Sequence, residues 1–433
     1  MKKWLLVLFI VVAVSQVNAQ QKLTLADAIA ISLKNSYDIE LVRNQLAISN
    51  INNNPGVAGA LPTVNLNASD NEQIISINQK FPDANRNTQR NNVGSNILQM
   101  GVTGTMLLYN GNRVVTTQKR LAQLELLNKN VLNAQLQNTM ALVSVRYYEI
   151  VRQQELLKTI QKSIDVFQKR LDLLEARKEA GLANNADIYQ AKLDLNQQKQ
   201  ALQTQHLIIK QSKADLLQSM IQAPDSVIVI DDKIMIDKNL SLENIKGALP
   251  SNPDYLAAAT QITINQLIEK ETAALRMPSL RATTGFNLNS NKSAAGFILL
   301  NQSYGPFFGV NLSVPLYNGS AFKRQGQVAA INTRSAKLQQ ENLALTLETN
   351  AVKTFNAYTN ALAQLQTETD NYALSSQLLD LVMQKFELAE ATIIDVRQAQ
   401  QSFENAGYRL VNLQYTAKIA EIELNRLVSK LAL

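Results

Sequence analysis

The chain has 433 residues, with 42 basic and 35 acidic side chains, one histidine and no cysteine. The missing cysteines exclude disulfides, thiolate metal sites and a lipid-anchored N-terminal cysteine, and the single histidine, His206, excludes a histidine-cluster metal site. The net charge of +7 is interspersed along helical patterns, which argues against a nucleic-acid groove. We therefore expect no metal, no cofactor and no nucleic acid.

The first 19 residues predict a secretory signal peptide. Lys2 and Lys3 precede an uncharged apolar run at 5–14, and small residues follow at 17–19 with the spacing of a cleavage site. The run is shorter than the ~20 residues that a membrane-spanning helix needs, so a signal peptide is favoured over an anchor. The mature chain is expected to begin at Gln20.

Two parts of the chain resemble each other. Leu-Tyr-Asn-Gly at 108–111 recurs at 316–319, and Ala-Asp-Ile-Tyr-Gln-Ala at 186–191 recurs as Ile-Asp-Val-Arg-Gln-Ala at 394–399. Both landmarks recur at an offset of 208 residues (109 to 317 and 187 to 395), which indicates a tandem duplication. We assign 20–222 to the first repeat, 223–239 to a connector and 240–433 to the second repeat.

After a leading helix, each repeat predicts a pair of strands, at 62–110 and 279–317. Polar and apolar residues alternate within both regions, most clearly at 63–68 and 310–314, and polar segments at 81–95 and 290–303 are predicted to join the strands. Four strands cannot close a membrane barrel, and an unpaired edge in lipid is costly. Membrane strands would require a barrel shared between chains, with twelve strands in a trimer. The alternative is a soluble β-patch on a helical stalk.

A long helical hairpin is predicted to complete each repeat, at 112–222 and 319–430. Neither Gly nor Pro occurs between Gly111 and Gly181, which permits a helix of ~100 Å at ~1.5 Å per residue. Heptad-spaced apolar residues predict antiparallel coiled-coil packing around turns near 180–186 and 388–393. A solvent-exposed coiled coil would show the same pattern. Its apolar positions are Leu157, Ile160, Ile164, Phe167, Leu171, Leu174, Ile188, Leu195, Leu202, Ile209 and Leu216, and in the second repeat Leu365, Tyr372, Leu379, Phe386, Val396, Phe403, Leu410, Ala417 and Leu424.

Three groups of residues carry a family resemblance: Leu-Thr-Leu at 23–25, Val-Pro-Leu-Tyr-Asn-Gly at 314–319, and Arg177 with Gly181 and the segment 186–188. With these motifs the chain resembles the outer-membrane efflux factor family of TolC-like proteins. The resemblance implies a mainly α fold with membrane β-structure. In it, coiled-coil hairpins form a periplasmic α-barrel, and four strands per chain contribute to a trimeric 12-stranded outer-membrane β-barrel. The connector would lie in the equatorial region.

The resemblance implies a homotrimeric channel-tunnel in the outer membrane of a two-membrane bacterium, in contact with outer-membrane lipid. It would passively conduct substrates from an inner-membrane pump of RND or ABC type and a periplasmic adaptor (membrane fusion protein), in efflux or type I secretion. A periplasmic coiled-coil adaptor or structural stalk is the alternative function. An enzyme is not expected, because no Gly-rich phosphate loop or nucleophile elbow is present.

The same resemblance assigns two groups of site residues. Asp187 and Asp395 match aspartates that ring the family's periplasmic aperture. Gln398 replaces a second acid that the family carries three residues later in the second hairpin, and Gln190 is its counterpart in the first hairpin. Carboxylates near a helix N-terminus also stabilise the helix, so Asp187 and Asp395 are consistent with either role. The adaptor-docking tips would be Ala180, Gly181 and Leu182 in the first hairpin and Leu388, Ala389 and Glu390 in the second, where the glycine is missing.

Overall fold

The computed structural model describes residues 22–181, 183–294 and 298–431. The predicted signal peptide and the tip residue Leu182 lie outside these residues. Within them the chain forms eight α-helices and four strands. In chain order these are α1 Leu25–Asn35, α2 Tyr37–Asn52, β1 Thr63–Gln79, β2 Thr88–Tyr109, α3 Arg113–Glu179, α4 Asn185–Ser219, α5 Leu242–Ala248, α6 Pro253–Ala274, β3 Ser279–Ser293, β4 Leu300–Ser313, α7 Ala321–Glu387 and α8 Ile393–Leu427.

The two long helical hairpins are equal in length. Helices α3 and α7 have 67 residues each, and α4 and α8 have 35 each. Each bound of the second hairpin lies 208 residues after its counterpart, from 113 to 321 and from 219 to 427. The predicted mainly helical fold with two hairpins and four strands is confirmed.

Apolar stripes hold each hairpin together. Leu195 of α4 and Phe403 of α8 are buried, as are Ile188 and Val396 at the start of the same two helices. Polar contacts show that the two helices run antiparallel. The Gln205 side chain of α4 donates to the Gln153 side chain of α3, and Arg146, which lies earlier in α3, donates to the backbone carbonyl of Asp215, which lies later in α4. The heptad pattern is therefore a packing seam rather than a wetted surface.

The chain divides into two compact units. One comprises 45–129 and 257–341 and contains the sheet; the other comprises the described part of 1–44, with 130–256 and 342–433. The second unit holds two equivalent cores, since Val143, Ile150 and Leu216 in one correspond to Ala351, Tyr358 and Leu424 in the other. The connector run at 227–230 forms only an isolated bridge from Val229 to Lys22, with Ile228 and Ile230 buried in the first core.

The strands pair in the order β1-β2-β3-β4, all antiparallel. They are longer than the alternating pattern predicted, because β2 begins at Thr88 and β3 continues to Ser293, inside the segments predicted as loops. These polar outer ends pair through backbone hydrogen bonds, which hydrophobic alternation does not reveal. The segments that join β1 to β2 and β3 to β4 are therefore shorter than predicted, at 80–87 and 294–299.

One face of the sheet is apolar and exposed. Leu66, Val102 and Phe286 occupy one row across three paired strands, and Leu66 is 68% exposed. The opposite face is mainly polar, as in the row Asn67, Gly101, Asn287 and Gly305. The apolar face also carries Val64, Met100, Leu288, Tyr304, Phe308, Val310 and Leu312.

Across the described residues, every helix is either too short or too polar to cross a bilayer.

The strand-to-helix turns of the two repeats differ in their surroundings. Gly111 and Gly319 both have a positive φ, at 68° and 65°. A Cβ on Gly111 would lie 2.5 Å from the Cβ of Met277, whereas among the described residues no atom lies within 4 Å of a Cβ on Gly319.

Gly111→Ala should therefore destabilise the protein more than the matched Gly319→Ala. The positive φ alone costs an alanine about 1–2 kcal/mol at either turn. The close approach to Met277 should add about 1–3 kcal/mol at position 111. Urea unfolding of the detergent-solubilised protein measures the difference, and equal losses for the two variants would contradict it.

Candidate functional site

The two hairpin tips have the same backbone turn despite their different sequences. Gly181 follows α3 with φ 75° and donates its N–H to the Lys178 carbonyl at 2.9 Å. Ala389 follows α7 with φ 63°, and the next N–H, of Glu390, reaches the Lys385 carbonyl at 2.8 Å. An alanine with this positive φ lowers the free energy of unfolding by about 1–2 kcal/mol relative to glycine, yet the same turn forms. The missing glycine therefore does not alter the second tip's backbone.

Both predicted aperture aspartates lie in the first turn of a return helix. Asp395 forms a capping box with Thr392, whose hydroxyl lies 2.7 Å from the carboxylate. These bonds from the Thr392 backbone and hydroxyl hold the pKa of Asp395 below its usual value. Asp187 donates its N–H to the Asn184 side chain at 2.8 Å. The Asp395 carboxylate thus takes part in its helix cap, whereas Asn184 caps the other helix and the Asp187 carboxylate only lies in its first turn.

A third aspartate, Asp194 of α4, joins three helices and was not predicted from the sequence. Its carboxylate lies 2.6 Å from a guanidinium nitrogen of Arg170 on α3 and 3.6 Å from Arg397 on α8. The predicted site residue Gln190 donates to the same carboxylate at 2.8 Å. Asp194 therefore links the first hairpin to the second.

The charge of Arg170 is fully enclosed, with no exposed side-chain surface. Besides Asp194, its guanidinium donates to Gln400 of α8 at 3.0 Å and lies over the Phe167 ring at 5.0 Å. Burial lowers the pKa of Arg170, and Asp194 opposes that shift. A buried guanidinium needs such partners, because an unpaired charge in a protein interior is costly.

The same helices α4 and α8 line a polar cavity of about 610 Å³. Gln398, the second predicted glutamine of the aperture, lies on its wall with Arg397 and Glu404. Burial raises the pKa of Glu404, while a bond from Gln198 at 3.1 Å opposes the shift. The structure thus groups Gln190 and Gln398 around Asp194, whereas Asp187 and Asp395 lie in the first turns of their helices.

A second link between the hairpins lies near the tips. Arg177 donates to the backbone carbonyl of Phe386 at the end of α7, and its guanidinium lies 4.3 Å from the centre of the Phe386 ring. Arg177 was part of the sequence resemblance, but its partner was not predicted. Within the described residues, no cluster of three or more His, Cys, Asp or Glu side chains could hold a metal ion.

Comparison with known proteins shows which family this chain resembles. The Outer membrane efflux protein family model matches residues 244–429. Outer membrane protein TolC of Vibrio cholerae serotype O1 is 24% identical over 357 residues, which cover 78% of this chain and 78% of that protein. The part of the chain within the second repeat therefore matches the outer membrane efflux protein family. The predicted family resemblance is confirmed, and the chain is an outer-membrane protein.

Solved structures share the fold of this chain. The outer membrane protein VceC from Vibrio cholerae matches with a TM-score of 0.79 at 18% identity, over 93% of this chain and 95% of that chain. The CmeC outer membrane channel of Campylobacter jejuni matches with a TM-score of 0.77 at 14% identity, over 94% and 85%. These relatives are described as channels or outer membrane proteins rather than enzymes.

Removing the Asp194 carboxylate should destabilise the hairpin unit. Asp194→Ala leaves the enclosed Arg170 without its counter-ion, which should cost about 3–5 kcal/mol. Asp172→Ala is the matched control, because Asp172 also accepts from a glutamine four residues earlier, at 2.8 Å, but is exposed. The control should cost no more than about 0.5 kcal/mol.

Urea unfolding of the detergent-solubilised variants measures both losses. Replacing both charges, as Arg170→Met with Asp194→Leu, should recover most of the stability, because apolar side chains can take the place of a buried ion pair. Similar stabilities for Asp194→Ala and Asp172→Ala would contradict a structural ion pair at this position.

Proposed function

We propose that the chain is one protomer of a trimeric outer-membrane channel-tunnel that passively conducts exported substrates. The observation that carries the proposal is the four-stranded sheet, whose apolar face is exposed and whose outer strands β1 and β4 each leave one edge open in the described chain. Side chains such as Phe308, 76% exposed, suit contact with lipid rather than water. The polar face would then line a water-filled passage.

The open edges argue for three copies. A bilayer cannot hydrate unpaired backbone groups, so the edge of β1 must pair with β4 of another chain. Four strands are too few to close a membrane barrel, for which about eight is the minimum. Three chains supply twelve strands, which agrees with the family resemblance in the sequence.

The helical hairpins would extend the passage on the periplasmic side. In this arrangement each chain contributes two repeats, with the connector 223–239 in the equatorial region, and the hairpin tips meet a periplasmic adaptor and an RND- or ABC-type pump. Conduction needs no chemistry by this chain. The exposed apolar sheet face argues against a periplasmic adaptor or stalk, whose surface would be in water throughout.

The narrowest point would lie at the start of the return helices. Asp187 and Asp395 of three chains would place six carboxylates around one passage, attracting cations and repelling one another. The ion pairs of Asp194 would hold the two hairpins of each chain together in the narrow state. Opening the passage would require the hairpins to separate, and so to break those contacts.

The conductance of the purified protein in a planar bilayer tests this proposal. Asp187→Ala with Asp395→Ala should lower the cation-to-anion permeability ratio at least about twofold, because the carboxylate ring is lost. Asp172→Ala with Asp380→Ala is the matched control. These two aspartates are also 208 residues apart, are exposed, and remove the same number of charges.

The control should keep the wild-type selectivity. An equal change in both double variants would place the selective ring elsewhere. Absence of any conductance in the wild type, with the protein recovered as a soluble periplasmic coiled coil, would contradict the channel and favour the adaptor or stalk.

A further inference from the structure

One face of α3 packs against the second hairpin of the same chain. Thr159 lies against Gly407 of α8, where a Cβ on the glycine would be 2.8 Å from the methyl carbon of Thr159. Val166 packs against a buried cluster of α7 and α8, and Arg170 donates to Gln400 of α8 at 3.0 Å. Thr159, Val166 and Arg170 follow one another at intervals of seven and four residues, so they form one stripe along the helix.

The equivalent stripe of α7 is exposed and more apolar. The repeat offset of 208 residues takes Val166 to Leu374 and Arg170 to Leu378. Together with Leu381, these leucines form the α7 stripe, and their exposed fractions are 62%, 47% and 50% in the order Leu374, Leu378 and Leu381. A helix face that stays in water has no need for a leucine where its buried counterpart carries a charge. The α7 stripe is therefore suited to a protein contact that the described part of this chain does not provide.

The ring of three chains proposed above determines what can cover the α7 stripe. Each chain contributes two hairpins of equal helix lengths, so first and second hairpins alternate around the ring. One side of the second hairpin meets the first hairpin of its own chain, and the other side meets the first hairpin of the next chain. Because the repeats are alike, the contact of α3 with α8 inside a chain has its counterpart between copies in a contact of α7 with α4.

The face of α4 that this arrangement selects is also apolar and exposed. Tyr189 and Leu193, which lie one helical turn apart, are each 64% exposed and form the α4 patch. Their equivalents in α8 are the polar residues Arg397 and Gln401, and Arg397 pairs with Asp194 of the first hairpin. Both helices of the contact between copies thus carry apolar side chains where the contact within a chain is polar.

Exposed charges of opposite sign lie at the same level of the two helices. Lys199 of α4 occupies the position of Gly407, and Thr367 of α7 occupies the position of Thr159. Asp370 follows Thr367 by three residues and so lies on the same side of α7. Both Lys199 and Asp370 are exposed in the single chain. Repeating the contact between copies brings the lysine of one chain to the aspartate of the other.

We propose that the α7 stripe of one chain docks onto the α4 patch of a second copy, with Asp370 paired to Lys199 of that copy. The inference rests on the proposed function, because a ring of three chains is what brings the two surfaces together. It adds a contact between helices to the pairing of β1 with β4. This contact is apolar at the level where the contact within a chain holds the enclosed charge of Arg170.

Cysteine cross-linking tests the contact, because the chain contains no cysteine of its own. Thr367→Cys with Lys199→Cys should yield linked dimers and trimers when membranes are treated with a short bis-methanethiosulfonate reagent and separated on non-reducing gels. Thr369→Cys with Lys199→Cys is the matched control, since Thr369 is also an exposed threonine of α7. Two residues turn a helix by ~200°, so the control should yield at least about tenfold less linked product.

A charge exchange tests the same contact without cysteines. Asp370→Lys should lower the temperature at which the detergent-solubilised trimer dissociates, because it places two lysines against each other. Adding Lys199→Asp should restore that temperature. A second substitution that lowers the temperature further would contradict the pairing.

Native mass spectrometry separates this proposal from the proposed function. Particles of three chains without linked product from Thr367→Cys with Lys199→Cys, or with as much product in the control, would overturn the contact and leave the channel in place. Particles of one chain would overturn the contact together with the shared barrel.

Discussion

The backbone of the four-stranded sheet imposes the strongest constraint on this protein. Its strands carry exposed apolar side chains on one face, while β1 and β4 each leave an edge that no described segment of the chain pairs. In lipid, every backbone donor and acceptor must be bonded internally. One chain cannot meet that requirement, and several copies can. The proposed shared barrel therefore rests on hydrogen bonding in the sheet as well as on the family resemblance.

The long helices are subject to a different constraint, which is their alignment along the axis. Helices of 67 residues must keep one alignment over many turns, and repeated Leu, Ile and Phe positions do not by themselves prevent a shift along the axis. Arg170 can pair with Asp194 and Gln400 in only one alignment of the helices along their axes. A buried polar group of this kind can fix alignment, because a shift would leave its charge unpaired. The same contact joins the two hairpins and lies next to the proposed aperture.

Much of this architecture was predictable from the sequence. The interval between Gly111 and Gly181, which contains neither Gly nor Pro, gave the extent of α3, and the fixed spacing of landmarks gave the matching α7 in the second repeat. The outer ends of β2 and β3 were missed because Asn, Gln and Ser pair through the backbone without an alternating pattern. Asp194 was missed because it lies one residue before the apolar stripe and its partners come from α3 and α8.

The number of chains in the detergent-solubilised particle tests the account most directly. Native mass spectrometry of the purified protein counts them without assuming a function. We expect three chains per particle, because only a shared barrel pairs the edges of β1 and β4. A particle of one chain that remains in the membrane fraction would contradict it, since the sheet edges would then be unpaired in lipid.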